Sequence, residues 1–361
     1  SRPGLENVSA GIALQAYLPD SAQVQERITQ WAKARVAAGG APVTIRIVKG
    51  ANMEMERVEA SIEGWPQAPF MVKADTDANY KVMIEYGLRP ENAAAVHIGV
   101  ASHNLFDISY ALVLTAERRV DDFVQFEMLE GMANHQRRAL SETMDNILLY
   151  APATRRDDFI NAIGYLIRRL DENTGPENFL RHTFKLVVDS PEWHKLEDGF
   201  VHSFDRVEKI ESGPRRHQNR QLEQDKSGQV QDLSTFRNEP DTDFSLPQNV
   251  TWAEDLIQDW QPRMGELATE IPLMVAGSAV TDERHQKECH DPSRPGVVVG
   301  RYRQANSGDI ERALSCAAAD EAGWRVMAPR ARREVLARVA QEIRANRGEL
   351  MGAALAEGGK L

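Results

Sequence analysis

Blocks of apolar residues alternate with amphipathic blocks along the first half of the chain, and this pattern predicts strands followed by helices. Strand-like runs lie at residues 12–18, 43–49, 94–101, 124–129 and 147–150. A helical pattern follows each run, and repetition at intervals of about 30–50 residues is typical of parallel strands covered by helices. The first part of the chain is therefore predicted to be α/β.

The first predicted helix covers residues 20–38 and ends at two glycines. An apolar stripe at helical spacing predicts which face packs against the sheet. The stripe consists of Val24, Ile28, Trp31 and Ala32.

The predicted strands have one apolar face and one mixed face. Because side chains alternate between the two faces of a strand, Arg46 lies opposite Ile45 and Ile47, and Glu127 opposite Phe126. A sheet covered on both sides would be apolar on both faces. A barrel with a site at the carboxyl ends of its strands explains the mixed faces better, and a half-exposed sheet is the alternative.

The pattern changes twice after this region. Residues 188–270 carry scattered helical patches with basic and polar runs, which indicate a connector between residues 1–187 and 271–361. In the last part, residues 273–280 and 297–302 are predicted strands, and residues 307–355 are helical. Asp309 is predicted to begin one of these helices and Pro329 the next.

Composition narrows the class of protein. A net charge of −11 argues against nucleic acid as a partner, and two cysteines are too few for a disulfide framework or a cysteine-rich zinc site. No apolar run approaches the roughly 20 residues that span a bilayer. The low cysteine count fits a reducing cytoplasm, so we expect a cytoplasmic protein. The sequence contains no cluster of histidines and cysteines that would predict a metal site.

A helical segment at residues 165–174 carries two adjacent arginines. At 3.6 residues per turn, Tyr165, Arg168, Arg169 and Glu172 share one side of the helix. The planar fork of arginine suits a carboxylate held by two hydrogen bonds, so the segment predicts a site for a small carboxylic acid. A solvated basic patch paired with the neighbouring acids is the alternative.

Polar residues and glycine also follow the predicted strands. Gly50 lets a ligand approach the backbone, and His103 with Asn104 can donate to phosphate or ribose oxygens, although a turn glycine and a structural histidine are the alternatives. Arg46 inside a barrel needs an anionic partner, either Glu127 or a ligand. Lys73 and Asp77 could contact a ligand or be solvated surface residues. Neither a G-x-G-x-x-G nor a P-loop motif occurs, so any nucleotide would be held by other means.

Together these residues resemble the proline utilization A family, a bacterial fusion of proline dehydrogenase with pyrroline-5-carboxylate dehydrogenase. The resemblance rests on residues 15–18 (QAYL), 46–51 (RIVKGA), 102–104 (SHN), 129–132 (LEGM), 150–152 (YAP) and 165–173 (YLIRRLDEN). Residues 307–314 (SGDIERAL), 324–325 (WR) and 357–360 (EGGK) are similar to the start of an aldehyde dehydrogenase domain.

The resemblance implies the later strands of a (β/α)8 barrel with FAD at its carboxyl-terminal mouth. It places Arg46 near the reactive nitrogen of the flavin, where it would act in catalysis. The other positions that match flavin contacts are Gln15, Val48, Gly50, Ala51, Lys73, His103, Asn104 and Glu172.

The resemblance also implies the substrate chemistry. Arg168 and Arg169 match the pair that binds the proline carboxylate, and Leu129, Tyr150 and Tyr165 match residues around the proline ring. Hydride would pass from proline to FAD and electrons then to a membrane quinone, while the aldehyde dehydrogenase half would use NAD. The family further implies a homo-oligomer and peripheral association with the inner membrane.

Three departures qualify the resemblance. Asn52 and Met53 stand where the family often has aromatic residues, and Glu127 stands where relatives often have an amide. The earlier barrel strands and the aldehyde dehydrogenase nucleophile have no counterpart, so we interpret the chain as an internal piece of a longer polypeptide. A non-catalytic scaffold built from enzyme remnants and an unrelated barrel enzyme acting on a carboxylic acid are the alternatives.

Overall fold

The computed structural model describes residues 4–175, 178–183, 186–224, 238–280 and 284–359. The chain divides into two compact units, Ser1–Arg216 and His217–Leu361.

The first unit contains a five-stranded parallel sheet whose strands pair in chain order. The strands are β1 (Ala10–Gln15), β2 (Val43–Val48), β3 (Val96–Ala101), β4 (Val124–Leu129) and β5 (Ile147–Tyr150). Parallel neighbours in strict chain order, each joined by a helical connection, are the arrangement found in a segment of a (β/α)8 barrel. The α/β prediction is confirmed, and all five predicted strands are present.

Nine helices of the first unit lie within the described residues. They are α1 (Ser21–Ala37), α2 (Met53–Glu63), α3 (Lys73–Gly87), α4 (Pro90–Ala93), α5 (Leu105–Arg118), α6 (Asn134–Leu140), α7 (Phe159–Thr174), α8 (Phe179–Thr183) and α9 (Pro191–His202).

The hydrophobic core lies between the sheet and these helices. Ile45 and Ile47 of β2 are fully buried, and so is Phe126 on the equivalent face of β4. Met83 and Ile84 of α3 belong to the same cluster. The opposite face of the strands carries Arg46 and Glu127, as the alternation of apolar and polar residues predicts.

The packing face of α1 differs from the predicted stripe. Val24 and Ile28 do pack against the core, but the predicted member Trp31 is 45% exposed. Gln25 and Thr29 are buried instead, because the Gln25 side chain donates to the Met83 carbonyl and the Thr29 hydroxyl donates to the Gln25 carbonyl. The donors of both side chains are therefore satisfied, whereas Gln25 Oε1 is buried without a hydrogen-bond partner among the described residues.

The second unit contains a three-stranded sheet of mixed direction and a separate hairpin. The sheet has the order β6 (Thr269–Ile271), β10 (Val298–Arg303), β9 (Gln286–His290), with β10 parallel to β6 and antiparallel to β9. The prediction of one strand over residues 273–280 is wrong. Two short strands, β7 (Leu273–Val275) and β8 (Ser278–Val280), form an antiparallel hairpin, because Ala276 and Gly277 both take positive φ.

The helices of the second unit within the described residues are α10 (Arg220–Gln224), α11 (Pro247–Trp260), α12 (Ser307–Ala319), α13 (Pro329–Ala345) and α14 (Arg347–Gly358). Pro329 begins a helix as predicted, whereas the helix predicted to begin at Asp309 begins at Ser307. Asn306 is its N-cap, and its side chain accepts from the Asp309 amide while Asp309 accepts from the Asn306 amide, which forms a capping box. Among the described helices, none is both long and apolar enough to cross a membrane.

Candidate functional site

A cavity of about 970 Å³ opens at the carboxyl ends of the parallel strands in the first unit. The last residue of every strand of the sheet contributes to its lining: Gln15, Val48, Ala101, Leu129 and Tyr150. Ligand sites of parallel α/β folds lie at this end of the sheet, because the loops that follow the strands converge there. The volume is at the upper end of the range for small-molecule sites, which suits a ligand of dinucleotide size.

An ion pair lies in the lining of this cavity. Arg46 on β2 donates through Nε to the carboxylate of Glu127 on β4, and Glu127 is only 5% exposed. The Arg46 guanidinium also lies over the Tyr150 ring, 5.0 Å from its centroid. Of the two partners predicted for Arg46, Glu127 is therefore the one in contact. Both residues line the cavity, so the arginine still faces the space that a ligand would occupy.

A second charged cluster, with Lys49, Lys73 and Asp77 in the cavity lining, links the end of β2 to α3 and α5. Lys49 Nζ is 2.6 Å from Asp77 Oδ1 and 2.5 Å from Asp107 Oδ2, and Asp77 also pairs with Lys73. Burial acts to lower the pKa of Lys49, but Asp107 and Asp77 outweigh it and raise that pKa well above its usual value. Burial likewise acts to raise the pKa of Asp77, whereas Lys49 and Lys73 hold it below its usual range. The alternative that Asp77 is a solvated surface residue is wrong, since Asp77 is buried.

Lys81 extends the cluster away from the cavity. Its Nζ donates to the Ser203 hydroxyl at 2.6 Å and lies 3.9 Å from Asp107 Oδ1. Two aromatic rings, Phe200 and Phe204, lie 4.1 and 4.9 Å from the same nitrogen. Burial among these rings lowers the pKa of Lys81 to about 8.

The loop after β2 passes directly over an aromatic side chain. Gly50 has φ +130°, and a Cβ atom at this position would lie 2.5 Å from Tyr17 Cγ. Tyr17 is buried, and its hydroxyl donates to Glu56 at 3.4 Å. Glycine is therefore required by both conformation and space, and the loop presents Gly50 and Ala51 to the cavity.

His103 supplies a buried donor at the end of β3. Its Nε2 accepts from the Leu129 amide at 3.1 Å, so the ring proton is on Nδ1. Nδ1 is buried and has no hydrogen-bond partner among the described residues. Burial lowers the pKa of His103 to about 4, which keeps the ring neutral at physiological pH. The next residue, Asn104, caps α5 by accepting from the Phe106 amide.

Helix α7 contributes three of its four predicted residues to the cavity. Tyr165, Arg169 and Glu172 line it, whereas Arg168 is not among the lining residues. Arg169 pairs with Glu172 at 2.9 Å and donates to the Ala51 carbonyl at 3.3 Å. Burial raises the pKa of Glu172, and Arg169 offsets part of that effect. Arg169 Nε is buried without a hydrogen-bond partner in the described part of the chain.

The structure thus brings together thirteen of the fourteen residues predicted for the site. Those that line the cavity are Gln15, Arg46, Val48, Gly50, Ala51, Lys73, His103, Asn104, Leu129, Tyr150, Tyr165, Arg169 and Glu172. Among the lining residues that the sequence reasoning missed are Tyr17, Lys49 and Asn173, and it also missed Asp107, which pairs with Lys49. Asp107 lies in the first turn of α5, three residues after its N-cap, which is a weak signal for a buried role.

The lining offers arginine, lysine, amide and imidazole donors together with the carboxylates of Glu54, Asp77, Glu127 and Glu172. Within residues 4–175 and the other described ranges, no group of three or more histidine, cysteine, aspartate or glutamate side chains could hold a metal ion. Donors of this kind suit an organic ligand that carries phosphates or carboxylates.

Comparison with known families gives two matches along the chain. Residues 1–182 match the family described as proline dehydrogenase, and residues 279–361 match the aldehyde dehydrogenase family.

Individual relatives cover one or both of these regions. The bifunctional protein PutA of Klebsiella aerogenes is 23% identical over 327 residues, which is 88% of this chain and 23% of that protein. The 1-pyrroline-5-carboxylate dehydrogenase of Staphylococcus aureus is 30% identical over 127 residues, 35% of this chain and 24% of that protein. The chain therefore spans about a quarter of the length of these relatives.

Solved structures show the same likeness. Proline utilization A from Corynebacterium freiburgense is 37% identical with a TM-score of 0.55 and covers 69% of this chain and 22% of its own. Proline utilization A from Bdellovibrio bacteriovorus, inactivated by N-propargylglycine, is 24% identical with a TM-score of 0.75, over 98% of this chain and 34% of its own. At this identity the second likeness concerns the fold alone.

Proposed function

Because the chain belongs to the proline dehydrogenase family and continues into an aldehyde dehydrogenase segment, we propose that it is part of a bifunctional enzyme of proline oxidation. The first reaction oxidises proline to pyrroline-5-carboxylate with FAD, and the second oxidises glutamate semialdehyde to glutamate with NAD. The resemblance to proline utilization A is confirmed by the matches to both families. The observation that carries the proposal is the cavity at the carboxyl ends of the parallel strands, with Arg46 and Arg169 in its lining.

The donor set of the cavity supports FAD as the cofactor. His103 Nδ1 is a buried N–H group that lacks an acceptor in the described protein, and a buried donor left unpaired is costly. A ribose, phosphate or flavin oxygen would satisfy it. Arg46 and Lys73 add cationic side chains to the same lining, and the loop after β2 presents Gly50 to the cavity. The residues that would hold FAD are Gln15, Arg46, Val48, Gly50, Ala51, Lys73, His103, Asn104 and Glu172.

Other residues of the same lining suit a small amino acid with a carboxylate. Arg169 has a buried Nε without a hydrogen-bond partner in the described part, and a carboxylate oxygen would accept from it. Tyr150 and Tyr165, whose ring centroids are 6.2 Å apart, together with Leu129 would pack against the aliphatic ring of proline. Arg168 as a second carboxylate ligand stays a prediction, since it lies outside the lining.

These residues act by binding and orientation. The Arg169 guanidinium would fix the carboxylate, and the two tyrosine rings would exclude water from the carbon next to the proline nitrogen. When bound, FAD supplies the acceptor for the hydride that leaves this carbon. Arg46, held by Glu127, would keep a positive charge close to the electron-rich part of the ligand.

The wider context follows from the same proposal. A membrane quinone would accept the electrons, which fits a cytoplasmic protein that associates peripherally with the inner membrane. We expect a homo-oligomer that uses NAD in its aldehyde dehydrogenase half. The net charge of −11 argues against nucleic acid as a partner of this segment.

The substrate assignment is tested by titrating proline against the FAD-loaded protein and its variants. Arg169→Met should weaken proline binding by about tenfold or more, because a hydrogen bond to a charged group contributes roughly 1.5–3 kcal/mol. Arg168→Met is the matched variant on the neighbouring residue and tests whether both arginines bind the carboxylate. Unchanged proline binding in both variants would refute this assignment, and a protein that takes up no FAD would favour the scaffold alternative.

A further inference from the structure

The Arg46–Glu127 ion pair joins two strands that are not neighbours. Arg46 on β2 pairs in register with Gly99 on β3, and Glu127 on β4 pairs in register with Ala101 on β3. Strands in a sheet are about 4.8 Å apart, so the two backbones are separated by about twice that distance. The ion pair therefore passes over β3, on the face that lines the cavity.

Gly99 is the residue that leaves space for this crossing. A Cβ atom at Gly99 would overlap Glu127 Oε1 and lie 3.0 Å from Glu127 Cδ and 3.4 Å from the Arg46 Cα atom. The backbone of Gly99 needs no positive φ, so its conformation alone does not require glycine. The requirement comes from the carboxylate that lies on it.

The pair places one positive and one negative charge in the cavity lining. Glu127 is buried, and the Arg46 side chain retains 30% exposure toward the cavity. Arg46 contacts Glu127 through its Nε–H group. The other four N–H groups of a guanidinium are on its two terminal nitrogens, and this contact does not use them. An amide at position 127 could still accept the hydrogen bond, but it would leave the positive charge of Arg46 uncompensated.

We propose that Glu127, seated over Gly99, is a positioning residue that fixes the Arg46 guanidinium and lowers the positive potential that a bound flavin experiences. This inference rests on the proposed function. Removing the carboxylate charge should favour the reduced, more negative flavin over the oxidised flavin, so the flavin becomes easier to reduce.

The test is the reduction potential of the FAD-loaded protein, measured by equilibration with a dye of known potential. In the Glu127→Gln variant, the affinity for reduced flavin should rise about tenfold relative to the affinity for oxidised flavin. This change corresponds to an increase of about 30 mV in the reduction potential of a two-electron couple. Gly99→Ala should shift the potential in the same direction, because the added methyl group displaces the carboxylate. The matched control is Gly11→Ala in β1, where a Cβ atom meets only Thr44, at 3.3 Å from its carbonyl oxygen, and no shift is expected.

A second measurement tests the ion pair without FAD. In a double-mutant cycle, the unfolding equilibrium constant is measured for Arg46→Met, Glu127→Gln and the double variant. The effect of the double variant should differ from the product of the two single effects by at least about threefold. A loaded protein with an unchanged potential in Glu127→Gln, or an additive cycle, would overturn this inference and leave the proposed function standing. A protein that takes up no FAD would overturn both.

Discussion

Replacing Gly50 by alanine tests whether the loop after β2 is held down by Tyr17. Gly50 has φ +130°, and an added Cβ atom would lie 2.5 Å from Tyr17 Cγ and 2.8 Å from Cδ1. The ring cannot move aside freely, because the Tyr17 carbonyl accepts from the Phe70 amide at 2.8 Å and its hydroxyl donates to Glu56.

Two costs add up in the Gly50→Ala variant. The backbone conformation costs about 1–3 kcal/mol for a residue with a Cβ atom. Overlap with a packed aromatic ring costs about 1–3 kcal/mol more. We therefore expect the free energy of unfolding, measured by urea denaturation followed by circular dichroism, to fall by about 2–6 kcal/mol.

Gly39→Ala is the matched control, since Gly39 also has positive φ, +85°, and nothing lies within 4 Å of the Cβ position. It should show only the conformational cost, about 1–2 kcal/mol. In a Tyr17→Ala background the extra loss at Gly50 should disappear. Equal losses for Gly50→Ala and Gly39→Ala would refute the reasoning.

Three further predictions concern stability. Asn306→Ala should lower the free energy of unfolding by about 0.5–2 kcal/mol, because the capping box is lost, whereas Asp20→Ala, whose side chain makes no capping hydrogen bond, should change it little. In the folded protein His103 stays neutral until the pH falls to its pKa of about 4, whereas in the unfolded chain it is protonated below about pH 6.5. Its contribution to the free energy of unfolding should therefore be up to about 3 kcal/mol above pH 6.5. That contribution should be lost as the pH falls toward 4, and a His103→Gln variant should lack the dependence in urea titrations. Lys81 has a pKa lowered to about 8, so the stability of the wild type relative to Lys81→Met should rise with pH between 8 and 10.5, and an unchanged difference would contradict this.

The strands were largely predictable because they depend on local patterns, whereas most of the site residues followed from the resemblance to a known family. Alternation of apolar and polar residues locates β2 and β4, and the carboxyl ends of parallel strands must converge, which brings Arg46 and His103 to one cavity. The segment at residues 165–173 is a helix, and its spacing correctly places Arg169 beside Glu172.

Features that depend on distant contacts were not predictable in this way. The buried side chains of Gln25 and Thr29 donate to backbone carbonyls, and an apolar stripe cannot reveal such contacts. The hairpin of β7 and β8 turns at Ala276, a residue that rarely takes positive φ. The partners of Lys49 come from α3 and α5, far along the chain, so the pattern around Lys49 gave no indication of them.

The measurement that tests the central claim most directly is anaerobic addition of proline to the protein after loading with FAD. The account predicts that the protein retains FAD and that proline bleaches the long-wavelength flavin absorbance, while the Arg169→Met variant requires much more proline. Retained FAD whose absorbance proline leaves unchanged would contradict proline oxidation, and failure to retain FAD would contradict the assignment of the cavity.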